Sequence, residues 1–218
     1  MHEIQKHILK KLSLAKTARY ADLKPKYIDG NLFVYHLKAL VKVGYVSSGS
    51  GKYSLTTKGK RYVGGISFET FSERAQPKIV NILIIKDKGK YLLYKRKRAP
   101  FTGLVGFPYG KIHLEEKVFE AAERELKEKT GLKARLHHRG EVYLTVHEED
   151  ELIEHMLCHV FTASKHTNTI NSPSDIGECF WSTLEEIPKN KLIPGVKEIS
   201  KLISKNKENF FEEYFLNV

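Results

Sequence analysis

Glu116, Glu125 and Glu128 stand along one stretch of chain with Arg124 among them, an arrangement of hard oxygen donors suited to a divalent cation. Val118, Ala122 and Leu126 recur through this stretch at helical spacing, which predicts a helix. Taking about 100° per residue from Glu125, these apolar side chains fall at about 20°, 60° and 100°, with Glu128 and position 129 at about −60° and 40°. The glutamates therefore adjoin the packing stripe, whereas Glu120 and Glu123 fall on the opposite, solvated side. Carboxylates that lean inward near a helix C-terminus repel one another and meet the unfavourable end of the dipole, so a cation should compensate them. Mg²⁺ is the ion that suits such donors. It can bridge carboxylates and phosphates, polarise phosphorus and lower the pKa of a bound water.

The elements that must hold this helix are short. Ile79 to Ile85 and Tyr91 to Tyr94 read as two strands around the turn Asp87-Lys88-Gly89-Lys90, and a turn-rich loop follows from Pro100 to Pro108. Between strand and loop lies Lys95-Arg96-Lys97-Arg98. Arg96 or Arg98 is a candidate to hold substrate phosphate, and a solvated charge run is an equally good reading. His155 and His159 share a strand face, but no third metal ligand is evident beside them.

The stretch as a whole is Gly110-x5-Glu116-x7-Arg124-Glu125-Leu126-x-Glu128-Lys129-x-Gly131-Leu132. It resembles the Nudix box, G-x5-E-x7-R-E-U-x-E-E-x-G-U with U aliphatic, at all but one defined position. Gly106-Phe107-Pro108, Phe180-Trp181 and Leu184-Glu185-Glu186-Ile187 also look like family segments. The resemblance spans about residues 78 to 204 and implies a domain that binds a nucleoside diphosphate linked to another group. In the family a metal-activated water attacks the diphosphate and releases two monophosphoryl products. By motif position, Glu125 and Glu128 map to metal ligands, Gly110 to a backbone-carbonyl ligand and Glu116 to a supporting carboxylate. Arg124 maps to the ion-pairing partner that orients the catalytic glutamates.

The departure is Lys129, which stands where the pattern has its last glutamate. Glu125 and Lys129 form a favourable i, i+4 pair, and a protonated amine cannot ligate a metal. Mg²⁺ affinity and turnover are therefore expected to be reduced or lost, unless Glu148-Glu149-Asp150-Glu151 or Glu154 supplies a substitute. Tyr109 stands where the family usually has a second glycine, where it narrows the cleft or offers substrate a stacking surface.

Charge divides the chain differently. Residues 1 to 65 carry 13 Lys and Arg against 3 Asp and Glu, whereas the remainder carries 24 against 23, so +10 of the net +11 lies in the first third. Such a segment is a candidate for polyanion binding. Ile4, Ile8, Leu9 and Leu12 mark one helix, Ala21 to Leu23 a second that Pro25 closes, and Phe33, Leu37, Leu40 and Val41 the stripe of a third that Gly44 stops. Tyr45 to Ser48 and Tyr53 to Thr56 then read as a hairpin. Asn31 to Leu37, Leu40-Val41, Gly44-Tyr45-Val46 and Tyr53 to Gly59 resemble the recognition helix and wing of winged-helix transcription regulators. That resemblance implies double-stranded DNA as partner, with Asn31, Tyr35, His36 and Lys38 as base or phosphate contacts and Lys52 as a wing contact.

The expected chain is thus α+β in two domains, a winged helix over 1–64 and a Nudix α/β/α sandwich over 78–204, joined by a linker over 65–77. Residues 205–218 form a C-terminal helical extension whose Phe210-Phe211 and Tyr214-Phe215-Leu216 are too apolar for a free tail, so it docks on the body or makes a homodimer contact. Cys158 and Cys179 are the only cysteines, too few for a disulfide framework or a four-cysteine zinc site. With no signal-like start and no membrane-spanning run, the expected location is cytoplasmic, away from membranes. Two functions fit: a regulator whose Nudix domain senses a nucleotide metabolite, or an active Mg²⁺-dependent pyrophosphohydrolase targeted by its N-terminal domain. Nudix-related regulators of NAD metabolism are a precedent for the first, with their DNA-binding domain after the Nudix part.

Overall fold

A computed structural model describes residues 1–167, 169–171 and 173–218. The chain divides into two compact units, Met1–Gln76 and Pro77–Val218. In the first, α1 (Glu3–Leu14), β1 (Ala18–Arg19), α2 (Tyr20–Leu23) and α3 (Gly30–Val43) precede a hairpin of β2 (Val46–Gly49) and β3 (Lys52–Leu55), and α4 (Thr57–Gly64) follows. Asp29 caps α3 by accepting from the amides of Asn31 and Leu32 at 2.8 and 3.0 Å. Ile4, Ile8, Leu9 and Leu12 of α1 pack on Phe33, Leu37 and Leu40 of α3. Ser50 and Gly51 both take left-handed φ, 52° and 73°, the backbone of a two-residue hairpin turn that matches strand twist.

Three expectations for this unit change. Val41 is exposed rather than part of the packed stripe. His36 is buried and stacks on His2 with ring centroids 3.9 Å apart, because α1 begins directly against that face of α3. The stretch from Gly65 is no bare linker: Ile66 is buried and bridges to Glu73, and Phe71 packs against the unit's core, apolar side chains a solvated crossing would not keep.

The second unit contains β4 (Lys78–Asp87), β5 (Lys90–Arg96), β6 (Val105–Gly106), β7 (Tyr109–Lys111), α5 (Val118–Thr130), β8 (Lys133–Ala134), β9 (His137–Glu148) and β10 (Glu151–Ala163). It ends with β11 (His166–Thr167), β12 (Gly177–Ser182), a single 3₁₀ turn, α6 (Val196–Ser204) and β13 (Phe210–Asn217). Among the described residues the main sheet is mixed, ordered β12-β5-β4-β10-β9-β13, with β6 on β5 and β7 on β4. Alternation along β4 decides the layers. Val80, Ile82 and Ile84 share a core with Val196, Ile199 and Leu202 of α6, whereas Leu83 and Ile85 share one with Ala122 and Leu126 of α5. Helices therefore cover both faces. No helix among the described residues is long and apolar enough to cross a membrane.

The C-terminus is not helical. Residues 210–217 form β13, parallel to β9 from Phe210 opposite Gly140 to Asn217 opposite His147. Phe210, Tyr214 and Leu216 face the α6-side core while Phe211 and Phe215 face out, a two-residue alternation that a strand satisfies and a helix does not. Phe210→Ala is expected to cost about 3–5 kcal/mol in urea unfolding. Phe215→Ala should stay within about 0.5 kcal/mol. Equal losses at the two positions would contradict this arrangement.

Candidate functional site

The site is built where β7 passes the C-terminal half of α5. Ala121, Ala122 and Leu126 seat α5 on the sheet, and Gly131, at φ 78°, ends it in a left-handed cap that a side chain would strain. Seating the helix this way drives Glu125 inward, where it is 6% exposed. Its carboxylate rests on the Cα of Gly110. A Cβ at that position would collide with the Glu125 carboxylate, so only glycine admits this approach.

Arg124 orders the acidic residues. Its Nε and Nη2 donate to the two oxygens of Glu116 at 2.6 and 2.8 Å, its Nη1 donates to Glu125 at 2.7 Å and Glu128 at 3.2 Å, and Nη2 also reaches the Lys111 carbonyl. The guanidinium beside Glu116, with the His113 amide, holds that carboxyl down at about 2. The same contact raises Arg124 further above its ordinary value. The other oxygen of Glu125 faces the Lys129 ammonium at 3.3 Å. Lys129 lies over the rings of Tyr109 and Tyr94 at 5.1 and 5.8 Å. Burial pushes its pKa down and Glu125 opposes that shift.

Beside this pair opens a cleft of about 400 Å³, a size suited to a small-molecule ligand. Lys78, Arg96, Arg98, Lys111 and Lys129 line it, against two carboxylates, Glu125 and Glu154, so its charge is positive. The structure thus brings together Gly110, Glu125, Tyr109, Arg96 and Arg98. Glu116 and Glu128 do not reach the lining. Glu116 is spent on Arg124, and Glu128 lies on the outer side of α5 with its side chain 60% exposed.

Arg96 is buried and donates to the Pro100 and Ala99 carbonyls and, at 2.6 Å, to the Tyr109 hydroxyl, so it clamps its own loop and is not free for phosphate. Arg98 is exposed at the rim and can serve that role. Tyr109 lines the cleft, and burial raises its hydroxyl pKa. Of the proposed substitute carboxylates only Glu154 lines the cleft, and Lys78 engages both its oxygens at 2.8 Å. Lys78, Lys111 and His113 escaped sequence reasoning. For Lys78 a signal existed: Glu154 shares the alternation of buried Met156, Cys158 and Val160, and a carboxylate on that face needs a partner.

The family model described as the NUDIX domain matches residues 75–203. The chain belongs to the Nudix family. An ADP-ribose pyrophosphatase of Methanocaldococcus jannaschii is 30% identical over 145 residues, which cover 64% of this chain and 85% of the relative. The solved MutT Nudix hydrolase of Burkholderia pseudomallei is 28% identical with a TM-score of 0.52, covering 58% of this chain and 98% of that one. The Nudix domain of Shewanella oneidensis NrtR, solved with ADP ribose, has a TM-score of 0.52 at 16% identity, over 70% and 99% of the two chains, a likeness of fold.

Nudix hydrolases generally use divalent metals such as Mg²⁺. The donors of this Nudix box, as folded, do not fit that ion. Both oxygens of Glu125 are engaged by cations, Glu116 and Glu128 are turned to Arg124, and an ammonium stands at the position of the last glutamate.

Because its folded pKa is depressed from 4.5 to about 2, Glu116 contributes stability that is fully present above about 4.5 and lost as pH falls toward 2. Glu116→Gln should flatten the acid limb of a stability–pH profile within that window. A wild-type Glu116 carboxyl titrating near 4.5 by NMR would contradict the Arg124 geometry.

Proposed function

We propose that this Nudix chain binds a nucleoside diphosphate derivative and contacts double-stranded DNA through its N-terminal unit, as a ligand-responsive transcription regulator with weak or lost hydrolysis. The observation that carries the reading is Lys129, whose ammonium sits 3.3 Å from Glu125 inside a cleft with five cationic side chains against two carboxylates. A diphosphate brings the negative charge such a lining lacks. Lys129, Arg98 and Lys111 supply point charges for its oxygens, and Tyr109 limits the opening. An ammonium neutralises Glu125 but cannot lower the pKa of a ligated water, so binding is retained while the step that needs a metal is not supported. The relatives named for ADP-ribose make that diphosphate the first ligand to try.

For the N-terminal unit we propose a winged helix, with α3 as the groove-reading helix and β2–β3 as the wing. Asn31, Tyr35 and Lys38 lie exposed on α3, and Lys52 lies exposed at the hairpin turn. His36, being buried, is withdrawn from the contact set.

The second reading, an active Mg²⁺-dependent pyrophosphohydrolase, is favoured by the complete Arg124 network and the 30% identity to an enzyme of that kind. One substitution separates the two. Lys129→Glu restores the family's carboxylate and is expected to raise Mg²⁺-dependent ADP-ribose hydrolysis at least about tenfold, or about 1.4 kcal/mol in barrier. Wild type should bind ADP-ribose in EDTA, seen as thermal stabilisation. A fast wild type with no gain in the variant would establish the second reading instead.

Duplex DNA affinity should fall steeply with salt, and Lys38→Glu should both weaken binding and reduce the salt slope by about one or more. A flat salt response in the wild type would remove DNA from the proposal.

A further inference from the structure

His159 has partners that its strand alone does not reveal. On β10 it lies opposite Glu141 of β9, and two residues on, Phe161 lies opposite His138. His138 and Glu141 are three apart, a spacing that in a regular strand points side chains to opposite faces. The register shifts between Val160 and Phe161, leaving Arg139 as an extra residue. That bulge returns His138 to the face of Glu141, which is what bulges do where a side chain must be re-aimed.

The three groups converge. His138 Nε2 is 3.2 Å and His159 Nδ1 is 3.4 Å from the same Glu141 oxygen, and all three candidate donor atoms lie within 4.8 Å of one another. A tetrahedral ion with bonds near 2.0–2.1 Å separates its ligand atoms by roughly 3.4 Å, so two of the edges already have the length a zinc site needs. His138 Nε2 is buried and, despite its closeness to Glu141, forms no hydrogen bond, so the nitrogen is not aligned on the carboxylate as a donor. Phe161 meets the ring edge-on at 5.2 Å, and Phe119 of α5 packs beside it, which fixes its orientation. Asn81, in register beside His159, carries a buried Oδ1 without a hydrogen-bond partner. An imidazole that ligates through one nitrogen needs an acceptor for the proton on the other, and Asn81 offers one on that face.

We infer that His138, Glu141 and His159 form a binding site for a first-row divalent transition metal, with Zn²⁺ as the natural occupant. Two imidazoles and a carboxylate suit Zn²⁺, Co²⁺ or Ni²⁺ and are poor ligands for Mg²⁺. Partial exposure of all three leaves a fourth position for water. None of the three lines the nucleotide cleft, so this site is separate from the Nudix box and does not depend on whether the box turns over. An ion here ties β9 to β10 across the bulge.

The test uses the full chain with Co²⁺ as probe and excess Mg²⁺ present to saturate oxygen sites. One equivalent of Co²⁺ should give the intense visible absorption of a tetrahedral nitrogen and oxygen site, and Zn²⁺ should displace it and raise the melting temperature. His138→Gln, Glu141→Gln and His159→Gln, each checked for folding by far-ultraviolet circular dichroism, should each lose at least about tenfold in affinity, given that even supporting residues outside the ligand set are worth about 10–100-fold. X-ray absorption of the Zn²⁺-loaded wild type should show two imidazoles, a readout that does not depend on any variant. No absorption in the wild type, undiminished absorption in His159→Gln, or a zinc shell without imidazole would each overturn the inference.

Discussion

A carboxylate 6% exposed between a helix and a sheet is costly to bury without partners, and the disposition of Glu125 shapes everything near the cleft. Gly110 removes the Cβ that would exclude it, α5 carries it inward with Leu126, and Arg124 and Lys129 take one oxygen each. These contacts depend on one another. Arg124 can face Glu125 because Glu116 holds the rest of its guanidinium, and Glu116 can do so because the His113 amide turns the preceding loop back toward it. Removing one partner would leave a buried charge uncompensated, which is far more costly than never having built the pair.

Which cation completes this arrangement determines what the cleft can do. A divalent ion carries two charges, open coordination positions and the capacity to acidify water, whereas an ammonium brings one charge and three hydrogen-bond donors. With Lys129 paired to Glu125 and Lys78 to Glu154, the positive charge of Arg98 and Lys111 is left for an anionic ligand rather than being cancelled by further carboxylates. On the proposed reading, the cleft is an anion receptor whose positive charges are covalently fixed to the protein. Such a receptor keeps its polarity in the absence of free metal.

Much of this could be read from residue spacing, and the exceptions share a cause. The inward turn of Glu125, the outward turn of Glu120 and Glu123, and the hairpins at Ser50-Gly51 and Lys88-Gly89 follow from local periodicity and turn chemistry. The outward position of Glu128 lay at the edge of what a 100° step resolves, and the structure puts it on the exposed side. Arg96 reads as a phosphate ligand until the carbonyls of its own loop are known, and those depend on how residues 97–104 fold back. His36 is hidden by His2, a contact between distant parts of the chain. The strand nature of residues 210–217 was present in their alternation, yet a short aromatic run also suits a docked helix, and only the free edge of β9 selects the strand. The companions of His159 were unreadable for a sharper reason: they depend on a single extra residue in β9, and a register shift has no signature in composition or period.

A ligand-responsive regulator places a further demand on the cleft. Its ligand can bias DNA binding only by its difference in affinity for two states of the protein, and that bias lasts only while the ligand is bound. A hydrolase that cleaves its ligand converts occupancy into turnover, so its bias would follow flux instead of concentration. Replacing one metal-binding glutamate by Lys129 acts on this point with little structural cost, because the i, i+4 pair with Glu125 keeps α5 and the Arg124 network intact. On the proposed reading, the substitution separates recognition of the diphosphate, which needs positive charge, from its cleavage, which needs a Lewis acid. It does so at a single side chain, without disturbing the fold that holds either.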